Sequence, residues 1–115
     1  MRVWLIGADQ IGSCALRQLR KNPDIEVVIS DPSPRPFAVE QGLIERVDHV
    51  ENVTPVNINQ LARRILPDII LLSPSAGGDS LGLMEGGGAL KEALNYEIAV
   101  NSEYPCLVLS DSFMA

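Results

Sequence analysis

At 115 residues the chain has room for one packed domain, 1–115, and not for two. Its apolar content of 46% is carried by aliphatic side chains, with only 4% aromatic residues, which suits a buried sheet covered by helices. A net charge of −6 argues against a phosphate-backbone binder, two cysteines make no disulfide framework, and no apolar run reaches the ~18 residues of a membrane span.

The chain runs directly into an apolar segment at 2–6, RVWLI, which reads as a buried strand and leaves no room for a signal peptide. A cytoplasmic protein is therefore expected, with no nucleic-acid partner and no membrane insertion. A helix is expected over 10–21, with Ile11, Ala15 and Leu19 spaced by four on its inner face. Arg17, Arg20 and Lys21 fall near its end, where cations complement the helix dipole. Asn22-Pro23 stops it, because proline cannot continue a helix.

Residues 25–30, IEVVIS, form the second strand, closed by Asp31 and the proline-broken DPSPRP. A short helix is expected over 37–43, then a strand over 45–50. Thr54-Pro55 marks a helix start, a capping hydroxyl followed by proline. That helix runs to 65, with Ile58, Leu61, Ala62 and Ile65 inward. A central strand follows at 67–73, then a glycine-rich stretch through 88, a helix over 89–95, and strands over 96–102 and 106–111. This order predicts an α/β protein of three layers, doubly wound around a mostly parallel sheet of five to six strands.

The first site candidate is the turn GADQIG. A dinucleotide fingerprint has three glycines between a strand and a helix and an acidic residue about 20 positions on. Gly7 and Gly12 take the outer glycine places, and Asp31 stands where a carboxylate would meet a ribose 2′-hydroxyl. Asp9 occupies the middle place, where a bare backbone would approach pyrophosphate. At ~4 Å and an effective dielectric of ~20, its charge repels a phosphate by about 4 kcal/mol. That is half of a micromolar affinity of about 8 kcal/mol. Two readings stand together: Asp9 caps the helix in place of an anion, or it swings aside and admits one.

The full set of expected binding residues is Gly7, Asp9, Gln10, Ile11 and Gly12 at the turn, Asp31, Pro32 and Arg35 on the ribose side, and Ser73 and Ser75 after the central strand. Asp31 also reads as the start of a turn before Pro32, and Arg35 as a solvated side chain. The glycine-rich segment 77–88, with Asp79, Ser80 and the glycines 86–88, is either a second binding loop or a plain connection. His49 is the only histidine, so no histidine-based triad or metal set can be assembled. Cys14 and Cys106 lack a metal-ligand spacing and read as small buried hydrophobes. No catalytic residue is assigned.

Over residues 2–31, at VWLIGADQIGSCALRQL and VVISDPS, the chain resembles the NAD(P)-binding Rossmann domains of the potassium-transport regulatory type (RCK or KTN, TrkA-N-like). It also resembles the N-terminal domains of saccharopine-type dehydrogenases. Gly7, Gly12 and Asp31 match the regulatory pattern; Asp9 departs from its middle glycine. The resemblance implies a Rossmann-like fold and a module that senses a nucleotide and acts on a partner or an oligomer without turnover.

The function expected first is an adenine-dinucleotide or nucleotide-binding regulatory module. Its cofactor would be NAD or NADP, Asp31 favouring NAD, and it would act through a homodimer or a partner protein. The alternatives are an interaction protein that has lost nucleotide binding, or a fragment of an NAD(P)-dependent oxidoreductase.

Overall fold

A computed structural model describes residues 1–76 and 87–110, with side chains from 93 onward in the second segment. The described elements run β1 (Arg2–Ile6), α1 (Gln10–Leu19), β2 (Glu26–Asp31), α2 (Phe37–Glu40), β3 (His49–Val50), α3 (Ile58–Ile65), β4 (Ile69–Leu72), α4 (Gly87–Asn101) and β5 (Cys106–Val108). The five strands form one sheet in the order β3-β2-β1-β4-β5. Every pairing is parallel, with Trp4 opposite Val28 on one side and Ile70 on the other. This is the Rossmann-like arrangement expected from the element order, with five strands among the described residues.

Strand alternation divides the core in two. Val3, Leu5, Ile29 and Leu71 face one way and pack with Ala15 and Leu16 of α1 and Ala38 of α2. Trp4, Ile6, Ile70 and Leu72 face the other way, against Ile58, Leu61 and Ala62 of α3 and Ile98 of α4. Because β1 and β4 are buried on both faces, their sequences are unbroken apolar runs rather than alternating ones. The indole of Trp4 is fully buried, and its N–H donates to Ser30 Oγ on β2 at 2.8 Å.

Several boundaries differ from the sequence reading, each for a local reason. α2 ends at Glu40 because Gly42, at φ +73°, turns the chain: Gly42 N bonds Val39 O at 3.0 Å and Leu43 N bonds Ala38 O at 2.9 Å. These are the paired bonds of a left-handed helix stop. β3 shrinks to two residues because the Asp48 side chain, not a strand carbonyl, accepts the Ile29 N–H at 2.8 Å. Thr54 does not cap the third helix, whose N-cap is Asn57 with no side-chain cap bond; Thr54 Oγ1 instead accepts from Asn57 N at 3.2 Å while Asn57 Oδ1 accepts from Thr54 N at 2.7 Å. This reciprocal pair holds a turn, and regular helix starts only at Ile58.

The strand expected over 96–102 is wrong: helix α4 continues through Asn101. A strand would put Tyr96, Ile98 and Val100 on one face. Instead Ile98 is buried, while Tyr96 and Val100 are 54% and 81% exposed. Asn95 and Ile98, three apart, form the inward stripe with Leu94 and Ala99 beside them. Packing on the sheet overrode the β propensity of Tyr, Ile and Val.

Replacing Ser30 by alanine strands the buried indole N–H, and we expect a loss of about 1–3 kcal/mol. Urea unfolding followed by the emission of Trp4 checks it.

Candidate functional site

The sheet order reverses between β1 and β4, so the loops leaving their carboxyl ends meet at a switch point, where open α/β sheets build ligand sites. Gly7 leaves β1 at φ +93°, a backbone conformation that L side chains rarely adopt. A Cβ at Gly7 would overlap Ser73 Oγ and lie 2.8 Å from Ser75 Oγ, so the two loops touch through the missing side chain. A Cβ at Gly12 would overlap the Gly7 carbonyl, which is how α1 packs so close to the end of β1. Both outer glycines thus have the steric duties that the fingerprint gives them.

Asp9 sits at the N-cap of α1 in an extended conformation. Its Oδ1 accepts from Gly12 N at 2.8 Å, and its Oδ2 accepts from Ser75 N at 3.0 Å. One carboxylate therefore takes up an amide at the amino end of α1 and ties that end to the loop after β4. A free helix start offers amides to an anion; here Asp9 supplies the anion.

Asp31 is 3% exposed at the end of β2. Its Oδ2 accepts from Ala8 N at 2.8 Å and from the Ser75 hydroxyl at 3.4 Å, and its Oδ1 accepts from Ser33 N at 2.8 Å. Burial pushes its pKa above the ordinary carboxylate value; the bonds from Ala8 and Ser33 oppose this, and the nearby Asp9 charge adds to it. Ser75 is the common partner, giving its N–H to Asp9 and its O–H to Asp31.

Of the residues expected at the site, Gly7, Asp9, Gly12, Asp31, Ser73 and Ser75 come together. Ile11 does not join them as a ligand group: it is a core side chain, 5% exposed. Gln10 is exposed and Pro32 half-buried. Arg35 is held by Glu40 at 2.9 Å, on the surface. In the glycine-rich segment, 77–86 lie outside the described residues, including Asp79, Ser80 and Gly86, and Gly87 and Gly88 open helix α4. Cys14 and Cys106 are half-buried free thiols, and burial pushes Cys106 up to about 11, away from nucleophile chemistry at neutral pH.

Two members of the site were missed. Ala8 contributes its N–H to Asp31 and its carbonyl to Ala38 N at 3.0 Å, with no side chain to reveal it. Asn95 is 2% exposed and donates to Ser73 O at 2.9 Å, while its Oδ1 is buried without a partner. A polar residue on the inner face of a helix is a readable signal, but a helix ended at 95 hides which face is inner.

Compared with protein-family models, with curated proteins and with solved structures, the chain matches none. Among the described residues no helix is long and apolar enough to cross a membrane, and no group of His, Cys, Asp and Glu side chains is arranged to hold a metal ion.

Gly7→Ala should cost about 2 kcal/mol or more, from backbone strain and the collision with Ser73. Gly7→Ala with Ser73→Ala should recover part of it, which a double-mutant cycle in urea measures. For Asp31 the folded-state value lies above the ordinary 3.8, so protonation favours folding. Its contribution is fully present below about that pH and is lost as the pH rises through the folded value. The stability of the wild type relative to Asp31→Asn should therefore be greatest in acid and fall as the pH rises, as unfolding titrations will report.

Proposed function

We propose that this chain is a Rossmann-like interaction module whose dinucleotide corner is closed by its own carboxylate, and that it works by binding rather than turnover. The observation that carries the reading is the double bond set of Asp9, from Gly12 N to Oδ1 and from Ser75 N to Oδ2. A pyrophosphate at the start of α1 would have to displace both bonds and then sit beside two carboxylates, Asp9 and Asp31. Repulsion of about 4 kcal/mol from one unit charge at ~4 Å and an effective dielectric of ~20 removes about half of a micromolar affinity. Asp31 favours the same reading, since donors from Ala8, Ser33 and Ser75 already engage both its oxygens. The proposed location is the cytoplasm, in keeping with two free thiols.

A nucleotide-sensing regulator is the second reading, supported by Gly7, Gly12 and the placement of Asp31 beside the switch point. It requires Asp9 to swing out, and NAD is the ligand that Asp31 favours.

Calorimetry and thermal shift with NAD, NADH, NADP, ATP, AMP and S-adenosylmethionine separate the two. We expect no saturable binding to the wild type up to millimolar ligand, and a gain of at least about tenfold in NAD affinity for Asp9→Gly (~1.4 kcal/mol). Glycine is itself an acceptable N-cap, so the variant should remain folded. Micromolar NAD binding by the wild type would overturn the interaction reading in favour of the sensor.

A further inference from the structure

On the face covered by α3, the edge of the sheet at β2 and β3 is only partly sheltered: Val28 is half-buried and His49 exposed. A cavity of about 250 Å³ lies there, floored by Val28 and walled by Leu61 and Ile65 of α3. Arg2, Arg64, His49 and Glu51 supply the rest of its lining. An apolar floor with a few polar groups at its margins is the makeup of a small-molecule site, here smaller than a drug-sized pocket.

The two ends of the cavity differ in charge. Arg2 pairs with Glu26 at the start of β2, and its guanidinium donates to Ile65 O, so Arg64 stands at that end too. Glu51 N donates to Asp31 O at 3.1 Å, which fixes Glu51 at the other end of β2. His49, opposite Ser30, stands beside it. β2 runs six residues from Glu26 to Asp31, so these ends lie roughly 17 Å apart along the strand. Long side chains reaching in from both ends shorten that gap, and the apolar floor fills its middle.

These end charges are not consumed within the fold. Glu26 accepts Arg2 Nε at 3.1 Å and Asp68 accepts Arg2 N at 2.7 Å, so both carboxylates are engaged, and neither lines the cavity. Among the described residues the side chains of Arg64, His49 and Glu51 have no hydrogen bond or ion pair. Arg64 and Glu51 thus line one cavity with opposite charges that do not reach each other. A guanidinium grips a carboxylate through paired N–H donors, and a carboxylate accepts strongly from an ammonium.

We propose that this cavity binds a small zwitterion whose carboxylate and ammonium are held apart by an apolar chain. The ligand's carboxylate meets Arg64, its chain lies on Val28, Leu61 and Ile65, and its ammonium meets Glu51. The site shares no residue with the Asp9 corner and does not depend on how that corner is occupied. It therefore goes beyond the interaction reading, giving the module a small ligand on its α3 face.

Amide NMR of isotope-labelled protein titrated with 6-aminohexanoate tests this against hexanoate and hexylamine, which each keep one of the two charges. Saturable shifts are expected at Val28, Glu51, Leu61 and Ile65. The zwitterion should bind at least about tenfold more tightly than either single-charge analogue (~1.4 kcal/mol). Arg64→Gln should weaken 6-aminohexanoate and hexanoate about tenfold and spare hexylamine. Glu51→Gln should weaken 6-aminohexanoate and hexylamine and spare hexanoate. The same spectra verify that both variants are folded.

No saturable shift with any of the three compounds up to tens of millimolar overturns the proposal. Hexanoate binding as tightly as 6-aminohexanoate overturns it in favour of a simple organic acid. Shifts confined to residues outside the cavity, or affinities unchanged in both variants, overturn it as well.

Discussion

The contact on which the rest of this structure depends is made by an absence: Gly7 has no Cβ where the loop after β4 crosses the loop after β1. With that space open, Ser73 and Ser75 press against the β1 exit, and the Ser75 amide comes within reach of Asp9. The same approach brings Ser75 Oγ to Asp31, whose carboxylate already holds Ala8 N. Three strand ends, those of β1, β2 and β4, are thus tied together by backbone amides and two carboxylates. Any side chain at position 7 would separate them.

The chemistry of that knot is anion binding turned inward. Helix starts and tight loops present amides that need acceptors, and a phosphate is one way to satisfy them. Asp9 is another, covalently attached and so free of the entropy lost in capturing a ligand. Asp31 follows the same logic at greater depth, where burial opposes its charge and amides from Ala8 and Ser33 offset part of that cost. Two neighbouring carboxylates in a chain of net charge −6 make a poor host for a third anion. Fold and ligand chemistry separate here: the glycines keep the architecture, while the aspartate takes up an amide that, in the proposed reading, a phosphate would otherwise meet.

Away from the corner, the uneven cover of the sheet has a topological origin. α1 and α2 follow the outward run from β1 to β3, and α3 and α4 serve the return to β4 and β5 on the opposite face. On the α1 side the described elements bury Leu71 of β4 but leave its register partner Leu107 on β5 55% exposed. A corner occupied by its own side chains is the feature on which the proposed interaction role rests.

The sequence by itself determined the class of fold and most of its elements. Short apolar runs at β1 and β4, bounded by turn residues, read as strands buried on both faces, and four-residue spacing at Ile11 and Ala15 reads as one buried side of a helix. It also marked Gly7, Asp9, Gly12 and Asp31 as the residues of interest, through their order between a strand and a helix. Local patterns could not decide the state of residues 96–101, where Tyr, Ile and Val favour a strand until Asn95 and Ile98 find the sheet.

Nor could they decide the occupant of the corner, because Asp9 and Ser75 are 66 positions apart and meet only when β1 and β4 pair. Propensity and spacing are local quantities and were legible. Which donor reaches which carboxylate depends on strand ends brought together from distant parts of the chain, and only the tertiary structure decided it.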